Sequence, residues 1–184
     1  MPIDGTIPVL LSLGSNIESS GNLVLATRLL AERLEFVGAS QVYRTDPVGV
    51  HDVATFLNAA VGVRFSGSPR ALKFEVIRPI EHQLGRVRTA DRNAPRPIDI
   101  DISLFGQLVM VDKESELVLP ASDILLQAHV ALPLADLAPQ TIHPETGETL
   151  QEIGRRFQNS AGIEPLSEPC LSAGLGSRAE SSTS

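Results

Sequence analysis

The chain has 184 residues, 42% of them apolar and 20% charged, with 15 basic against 22 acidic residues and a formal net charge of −7 at pH 7. At roughly 100–200 residues per domain this is one domain, or one domain with a tail, with enough apolar material for a single core. The acidic balance excludes a general nucleic-acid binder and a polybasic membrane anchor, the single cysteine excludes an internal disulfide, and no apolar run approaches the ~20 residues of a membrane span, so a soluble, cytoplasmic monomer with neither nucleic-acid nor membrane partners is expected.

The first predicted element is a strand at Val9-Leu10-Leu11-Ser12-Leu13, ended by the turn signal Gly14-Ser15-Asn16. Leu23, Ala26, Leu29, Leu30 and Leu34 recur at helical spacing and predict a helix from Gly21 to Leu34. Phe36 to Arg44 reads as a second strand, and Thr45 to Thr55 as a long loop of the kind that carries function. Phe56 to Phe65 is a third strand with Leu57, Ala59, Val61 and Val63 on one face. Ser68-Pro69 is a capping serine followed by proline at the first helical position. The helix it opens should reach Leu84, stop at Gly85 and be kinked or weakened at Pro79, which lacks a backbone donor. Arg86 to Pro95 is a polar, arginine-rich loop, and Ile98-Asp99-Ile100-Asp101-Ile102-Ser103-Leu104 alternates strictly, as a half-buried strand does. Leu108 to Val111 adds a strand through the Gly106-Gln107 turn, and Ile124 to Leu137 is helical. From Ser160 onward the Ser, Gly, Pro and Glu content predicts a disordered tail. The expected organisation is a domain over 1–159 and a tail over 160–184. The order β-α-β-β-α-β predicts an α+β fold with a ferredoxin-like core and an extra C-terminal strand and helices.

In a strand, residues i and i+2 share a side. With Ile98, Ile100, Ile102 and Leu104 assigned to the core, Asp99 and Asp101 project together from the other side, their Cα atoms about 6.5–7 Å apart. Two hard carboxylate ligands so placed suit two Mg²⁺ ions roughly 3.5–4 Å apart, which take further oxygens from substrate phosphates. An isolated Asp-x-Asp is commonly no more than a solvated strand face. Here it follows Arg86, Arg88, Arg92 and Arg96, whose planar forks match phosphate oxygens. Clustered cations, clustered acids and a flexible loop are what a metal–polyphosphate site requires. No Walker-type glycine loop exists, so a nucleotide must be held by side chains and metal. This reading needs both aspartates on one side of the sheet, with room left for a cation.

The string Glu81-His82-Gln83-Leu84-Gly85-Arg86-Val87-Arg88, then Pro95-Arg96-Pro97-Ile98-Asp99-Ile100-Asp101-Ile102-Ser103-Leu104-Phe105-Gly106, resembles the signature of the hydroxymethyldihydropterin pyrophosphokinase family. Leu13-Gly14-Ser15-Asn16, Tyr43-Arg44-Thr45-Asp46-Pro47-Val48-Gly49, Phe56-Leu57-Asn58-Ala59-Ala60-Val61 and the stretch from Leu132 to Pro139 agree with it in order. The resemblance implies a ferredoxin-like α+β fold and transfer of the β,γ-diphosphate of ATP to the hydroxymethyl oxygen of a reduced pterin, with release of AMP, in folate biosynthesis. It implies that Asp99 and Asp101 hold two Mg²⁺ ions, that Arg86 and Arg96 clamp the phosphates as catalytic groups, and that Arg88 and Glu81 help to position ATP. On the pterin side it implies Phe56 as a stacking ring, Asn58 as the amide that reads the pterin edge, Thr45, Asp46 and Val48 on the contacting loop, and His129 at the second ring position.

This sequence departs from that pattern at several places. Asn93 stands where the family has a Trp, Pro120-Ala121-Ser122 where it has Pro-His, and Gln127 and Glu116 where it has basic nucleotide-side residues. These departures keep two alternatives open: a pyrophosphokinase-like enzyme acting on a different reduced pterin, and a non-catalytic ferredoxin-like ligand-binding protein. Sparse aromatics, at 4%, argue against a sheet that stacks nucleic-acid bases.

Overall fold

The structure, a computed structural model, describes residues 5–17, 19–46, 55–87 and 96–175. Its centre is a mixed α/β arrangement around one antiparallel sheet. The strands are β1 (Ile7–Ser15), β2 (Glu35–Ala39), β3 (Val42–Thr45), β4 (Phe56–Phe65), β5 (Asp99–Phe105) and β8 (Ile163–Leu166), ordered β5-β1-β4-β3-β8 with β2 also paired to β4. Between β5 and β8 lie β6 (Met110–Asp112) and β7 (Leu117–Leu119), which form a separate two-stranded ribbon.

Strand alternation divides the apolar side chains between two faces. On the first face Val9, Leu11 and Leu13 of β1, Ala59, Val61 and Val63 of β4, and Ile100 and Ile102 of β5 pack with Leu23, Ala26 and Leu30 of helix α1 (Ser19–Arg33). The second helical layer on that face runs without a break from α2 (Pro69–Ala71) through a π-helical turn (Leu72–Ile77) to α3 (Arg78–Gln83). Ser68 caps it by accepting the Ala71 N–H, and Gly85 ends it at φ +84°. The expected disruption at Pro79 takes the form of the π turn: Arg78 N–H reaches back to the Lys73 carbonyl, and Pro79, which has no N–H, follows directly.

The opposite face is only half covered. Leu10, Ala60 and Leu104 pack there beneath α5 (Ala128–Leu137) and α6 (Leu150–Arg155). Toward the β1 C-terminus the same face carries Ser12, Gly14, Phe56, Asn58, Asp99 and Asp101, and a cleft opens above them.

Several expected elements are corrected. The predicted strand from Phe36 to Arg44 is two strands, β2 and β3, separated at Ser40 and Gln41. Ser40 sits inside the break, with its backbone N–H on Ala60 O and its hydroxyl accepting the Ala60 N–H. Leu104 does not share a side with Ile98, Ile100 and Ile102. A bulge sets Leu10 opposite Leu104 but Leu11 opposite Ile102, and the extra residue, Ser103, turns Leu104 to the second face. The helix expected over 124–137 is α4 (Asp123–Leu126) and α5, broken at the extended Gln127. The strand expected near Leu108 to Val111 pairs in the ribbon and not in the main sheet. The disordered tail expected from Ser160 is ordered through 175. There β8 pairs with β3 from Val42↔Leu166 to Thr45↔Ile163, and Leu171 is 2% exposed in the core. A four-residue ladder needs backbone groups more than apolar side chains, which is why composition hid it.

Candidate functional site

Sheet register assembles the cleft floor. Asp99 of β5 lies opposite Gly14 of β1, which lies opposite Asn58 of β4; one step along, Asp101 lies opposite Ser12. Asp99 and Asn58 are thus two inter-strand spacings apart, about 10 Å, with a glycine between them. A Cβ at Gly14 would come within 3.3 Å of Asn58 Oδ1, so the bare backbone keeps the floor open. Ser12 and Ser103 share a hydrogen bond of 2.6 Å between their hydroxyls beside Asp101.

Both aspartates emerge on the same side, as alternation predicts, and both line a cleft of about 180 Å³. Their surroundings differ. Asp99 is held by two cations: Arg86 Nη1 contacts Oδ1, and Arg96 Nη1 donates to Oδ2 at 2.6 Å. Burial opposes ionisation of Asp99, but the hydrogen bonds and charges of the two arginines outweigh it and lower its pKa. Asp101 faces solvent across the cleft mouth while protein crowds its other sides. Desolvation first, then repulsion from Asp99 and Glu81, push its pKa up to about 7, with Arg86 and Lys73 pulling the other way.

The arginines are themselves anchored. Glu81, at 2% exposure, lies beneath the cleft floor. Its Oε1 accepts from Arg86 Nη1 at 3.1 Å and from the Ile100 N–H at 3.0 Å, tying the end of α3 to β5. Arg86 also donates to Ile98 O at 2.9 Å. Burial lowers its pKa, but the hydrogen bond and charge of Asp99, with Glu81 and Asp101, raise it overall. Arg96 is fixed by its backbone: its N–H donates to Asn16 Oδ1 at 2.7 Å, and its carbonyl accepts the Asn16 N–H at 3.3 Å. The turn expected at Gly14-Ser15-Asn16 is corrected, since β1 runs on through Ser15; Asn16, directly after the strand, positions a cation 80 residues away in the chain.

Phe56, Asn58 and His129 line the other end of the cleft, so the structure brings together the ring and amide residues singled out in the sequence. Asn58 is 6% exposed, and its Nδ2 donates to Thr45 Oγ1 at 2.9 Å. Asp46 accepts from the Thr55 hydroxyl at 3.0 Å. Burial lowers the His129 pKa, with Asp123 opposing. Arg88, Arg92, Asn93 and Val48 lie outside the described residues.

Asp101 also lines a second, larger pocket of about 420 Å³, walled by Lys73 and Ile77 of the π turn, Glu116, Leu117 and Val118 of the ribbon, and Ala121 to Asp123. Sequence reasoning missed Ser12, Ser103, Asp123 and Lys73 in these walls. Ser12 had a signal, since a polar residue inside an apolar strand points to the solvated face. Lys73, one of only two lysines in the chain, had none that marked its position.

The donor set fits a divalent cation. Among the described residues no group of three or more His, Cys, Asp or Glu could hold a metal alone. Two carboxylates at i and i+2, with the remaining ligands left to water and substrate oxygens, match the habits of Mg²⁺. Repulsion at Asp101 is what a bound cation would relieve.

Comparison with known proteins gives concordant results. The family model described as 7,8-dihydro-6-hydroxymethylpterin-pyrophosphokinase (HPPK) matches residues 10–139. The 2-amino-4-hydroxy-6-hydroxymethyldihydropteridine pyrophosphokinase of Methylorubrum extorquens is 40% identical over 157 residues, covering 84% of this chain and 95% of that protein. The folic acid synthesis protein fol1 of Pneumocystis carinii is 33% identical over 141 residues, and this chain spans only 18% of its length. The crystal structure of Plasmodium falciparum HPPK-DHPS with pteroate superposes at a TM-score of 0.63 and 16% identity, over 83% of this chain and 42% of that one, a likeness of fold.

Proposed function

The chain belongs to the 7,8-dihydro-6-hydroxymethylpterin-pyrophosphokinase family, and on that premise we propose that its cleft transfers diphosphate from ATP to the hydroxymethyl oxygen of 6-hydroxymethyl-7,8-dihydropterin, releasing AMP. The enzyme class, a pyrophosphokinase of folate biosynthesis, follows from the family. The assignment of residues to roles is our reading, as is that of the sheet order β5-β1-β4 with β2 and β3 beyond as a ferredoxin-like core.

One observation carries the residue assignment: Asp101 lines both pockets. On one side lies the small cleft with a ring, an amide and an imidazole; on the other lies a larger pocket with no aromatic among its lining residues. A flat pterin suits the first. Phe56 and His129 offer faces, and Asn58, fixed by Thr45, offers an amide to the pterin edge. The nucleotide takes the second, so that the reacting phosphates pass over Asp99 and Asp101.

In the transfer the pterin hydroxymethyl oxygen attacks the β-phosphorus in line. A new oxygen–phosphorus bond forms there, the hydroxyl proton passes to solvent water, the bond from that phosphorus to the bridging oxygen of AMP breaks, and AMP leaves with the electron pair. A loose phosphoryl-transfer transition state asks little of a base, so positioning and electrostatics dominate. Arg86 and Arg96, whose guanidiniums hold Asp99 in this structure, turn their donors to phosphate oxygens and offset the charge developing on them. Glu81 keeps Arg86 aimed from beneath. Asp99 and Asp101 would hold two Mg²⁺ ions, which would supply Lewis-acid polarisation of the phosphate oxygens.

The test is AMP formation from ATP, Mg²⁺ and the hydroxymethyl pterin, with each component omitted in turn. AMP that requires all three is expected; none at saturating ATP ends this reading. His129 favours one variant of it, a reduced pterin with a different six-position side chain, since an imidazole covers less of a ring than a phenyl does. A panel of reduced pterins separates the two, because better turnover of another member would name that acceptor.

A further inference from the structure

The π turn Leu72–Ile77 interrupts an otherwise α-helical run, and such turns are uncommon and gather at functional sites. It carries Lys73. The Lys73 ammonium donates to Ser115 O at 2.7 Å and to Glu116 O at 3.1 Å, in the turn that joins β6 to β7. Two adjacent carbonyls converge on one cation there. Glu116 has φ +51°, a left-handed conformation that a non-glycine residue adopts only when its surroundings hold it.

The turn is braced from inside as well. Asp112 accepts from the Ser115 hydroxyl and from the Glu114 N–H at 3.0 Å, and Arg70, one helical turn before Phe74, stands 3.9 Å from the Asp112 carboxylate. Directly after it, Glu116, Leu117 and Val118 form one wall of the 420 Å³ pocket, and Lys73 itself lines that pocket across from Asp101. Among the described residues that line it, Asp101, Glu116 and Asp123 are acidic, and Lys73 is the one cation.

We infer that Lys73 is a positioning residue for the nucleotide: it holds the β6–β7 turn as the pocket wall and supplies the pocket's cation, setting affinity for ATP and not for the pterin. This rests on the placement of ATP proposed above and deepens it. Lys73 bonds both the Ser115 and the Glu116 carbonyl, so neutralising it loosens the wall and leaves an acidic pocket facing a polyphosphate.

The experiment compares the full-length protein with Lys73→Met, which keeps the unbranched apolar stem but removes charge and donors, and Lys73→Arg, which restores charge. ATP and pterin are each varied in the AMP assay, and a non-hydrolysable ATP analogue with Mg²⁺ is titrated calorimetrically as a readout independent of turnover. Lys73→Met should weaken nucleotide KM and Kd by about tenfold or more, the usual worth of a hydrogen bond to a charged group, with pterin KM within about twofold. Lys73→Arg should recover most of the loss. A proportional rise in both KM values, or unchanged nucleotide Kd, overturns the inference. Should Lys73→Met not fold, Ser115→Ala decides, because it removes the hydroxyl that donates to Asp112 and so weakens the brace of the turn without touching the helix; it should give a smaller loss confined to the nucleotide, and no such loss overturns the inference. Wild-type AMP formation tests the underlying function separately, so the two can fail independently.

Discussion

The two halves of one sheet face have opposite surroundings. At one end Ala60 and Leu104 lie buried under α5 and α6, with Leu10 packed partly buried beside them. At the other end the same three strands offer Gly14, Asn58, Asp99 and Asp101 to a cleft. Backbone pairing is continuous across both, so the sheet does not distinguish them. Where the helices stop does, together with the bulge at Ser103 that rotates β5 between its polar and its apolar portion. A rigid ladder buried at one end can thus hold unfavourably close charges at the other.

That contrast breaks most sharply at Asp101. Asp101→Ala should lower kcat/KM on the order of 10³-fold, about 4 kcal/mol of transition-state stabilisation, while the melting temperature at pH 8 holds or rises. A parallel loss of Tm would mean that the open half is structural after all. The converse holds under the helices: Leu134→Ala should cost about 2–5 kcal/mol in denaturant unfolding, with kcat of the folded fraction little changed. Phe56→Ala, at the cleft end away from the aspartates, should raise pterin KM by roughly tenfold, the ~1–1.5 kcal/mol of a stacked pair, and leave nucleotide affinity alone.

The smallest effect is a pH dependence. The Asp101 pKa rises on folding from 3.8 to about 7, so folding favours its neutral form. Its contribution is therefore most favourable below pH 4 and becomes steadily less so as pH climbs toward 7. Relative to Asp101→Asn, the cation-free wild type should lose melting temperature between pH 4 and 7. His129 and His143, whose pKa values burial lowers, cancel in that comparison. Mg²⁺ with nucleotide should shrink the difference; a flat difference would place Asp101 outside the repulsive cluster.

Much of this was legible locally. The strand over 56–65, the Ser68-Pro69 helix start, its stop at Gly85 and the shared side of Asp99 and Asp101 follow from period, capping and turn chemistry. The burial of Glu81 was not, because its second partner is the Ile100 N–H, 19 residues on. Nor was the role of the C-terminal segment: β8 is Ile163-Glu164-Pro165-Leu166, too polar to announce a strand, yet Gly162 O accepts the Asp46 N–H at 2.8 Å and Glu164 meets Arg44 at 2.9 Å. Its pairing stabilises the strand that supplies Thr45.

By itself the amino-acid order determined that Asp99 and Asp101 share a face, where the helix from Ser68-Pro69 to Gly85 begins and ends, and that two acids and a run of arginines sit close in the chain. All of these depend on neighbours within a few residues. Only the tertiary structure decided that Asp99 is neutralised by two arginines while Asp101 is not, that Lys73 belongs to the pocket beside them, and that a polar tail completes the sheet. Those outcomes depend on contacts between segments far apart in sequence, and local periodicity carries no information about which distant groups will meet.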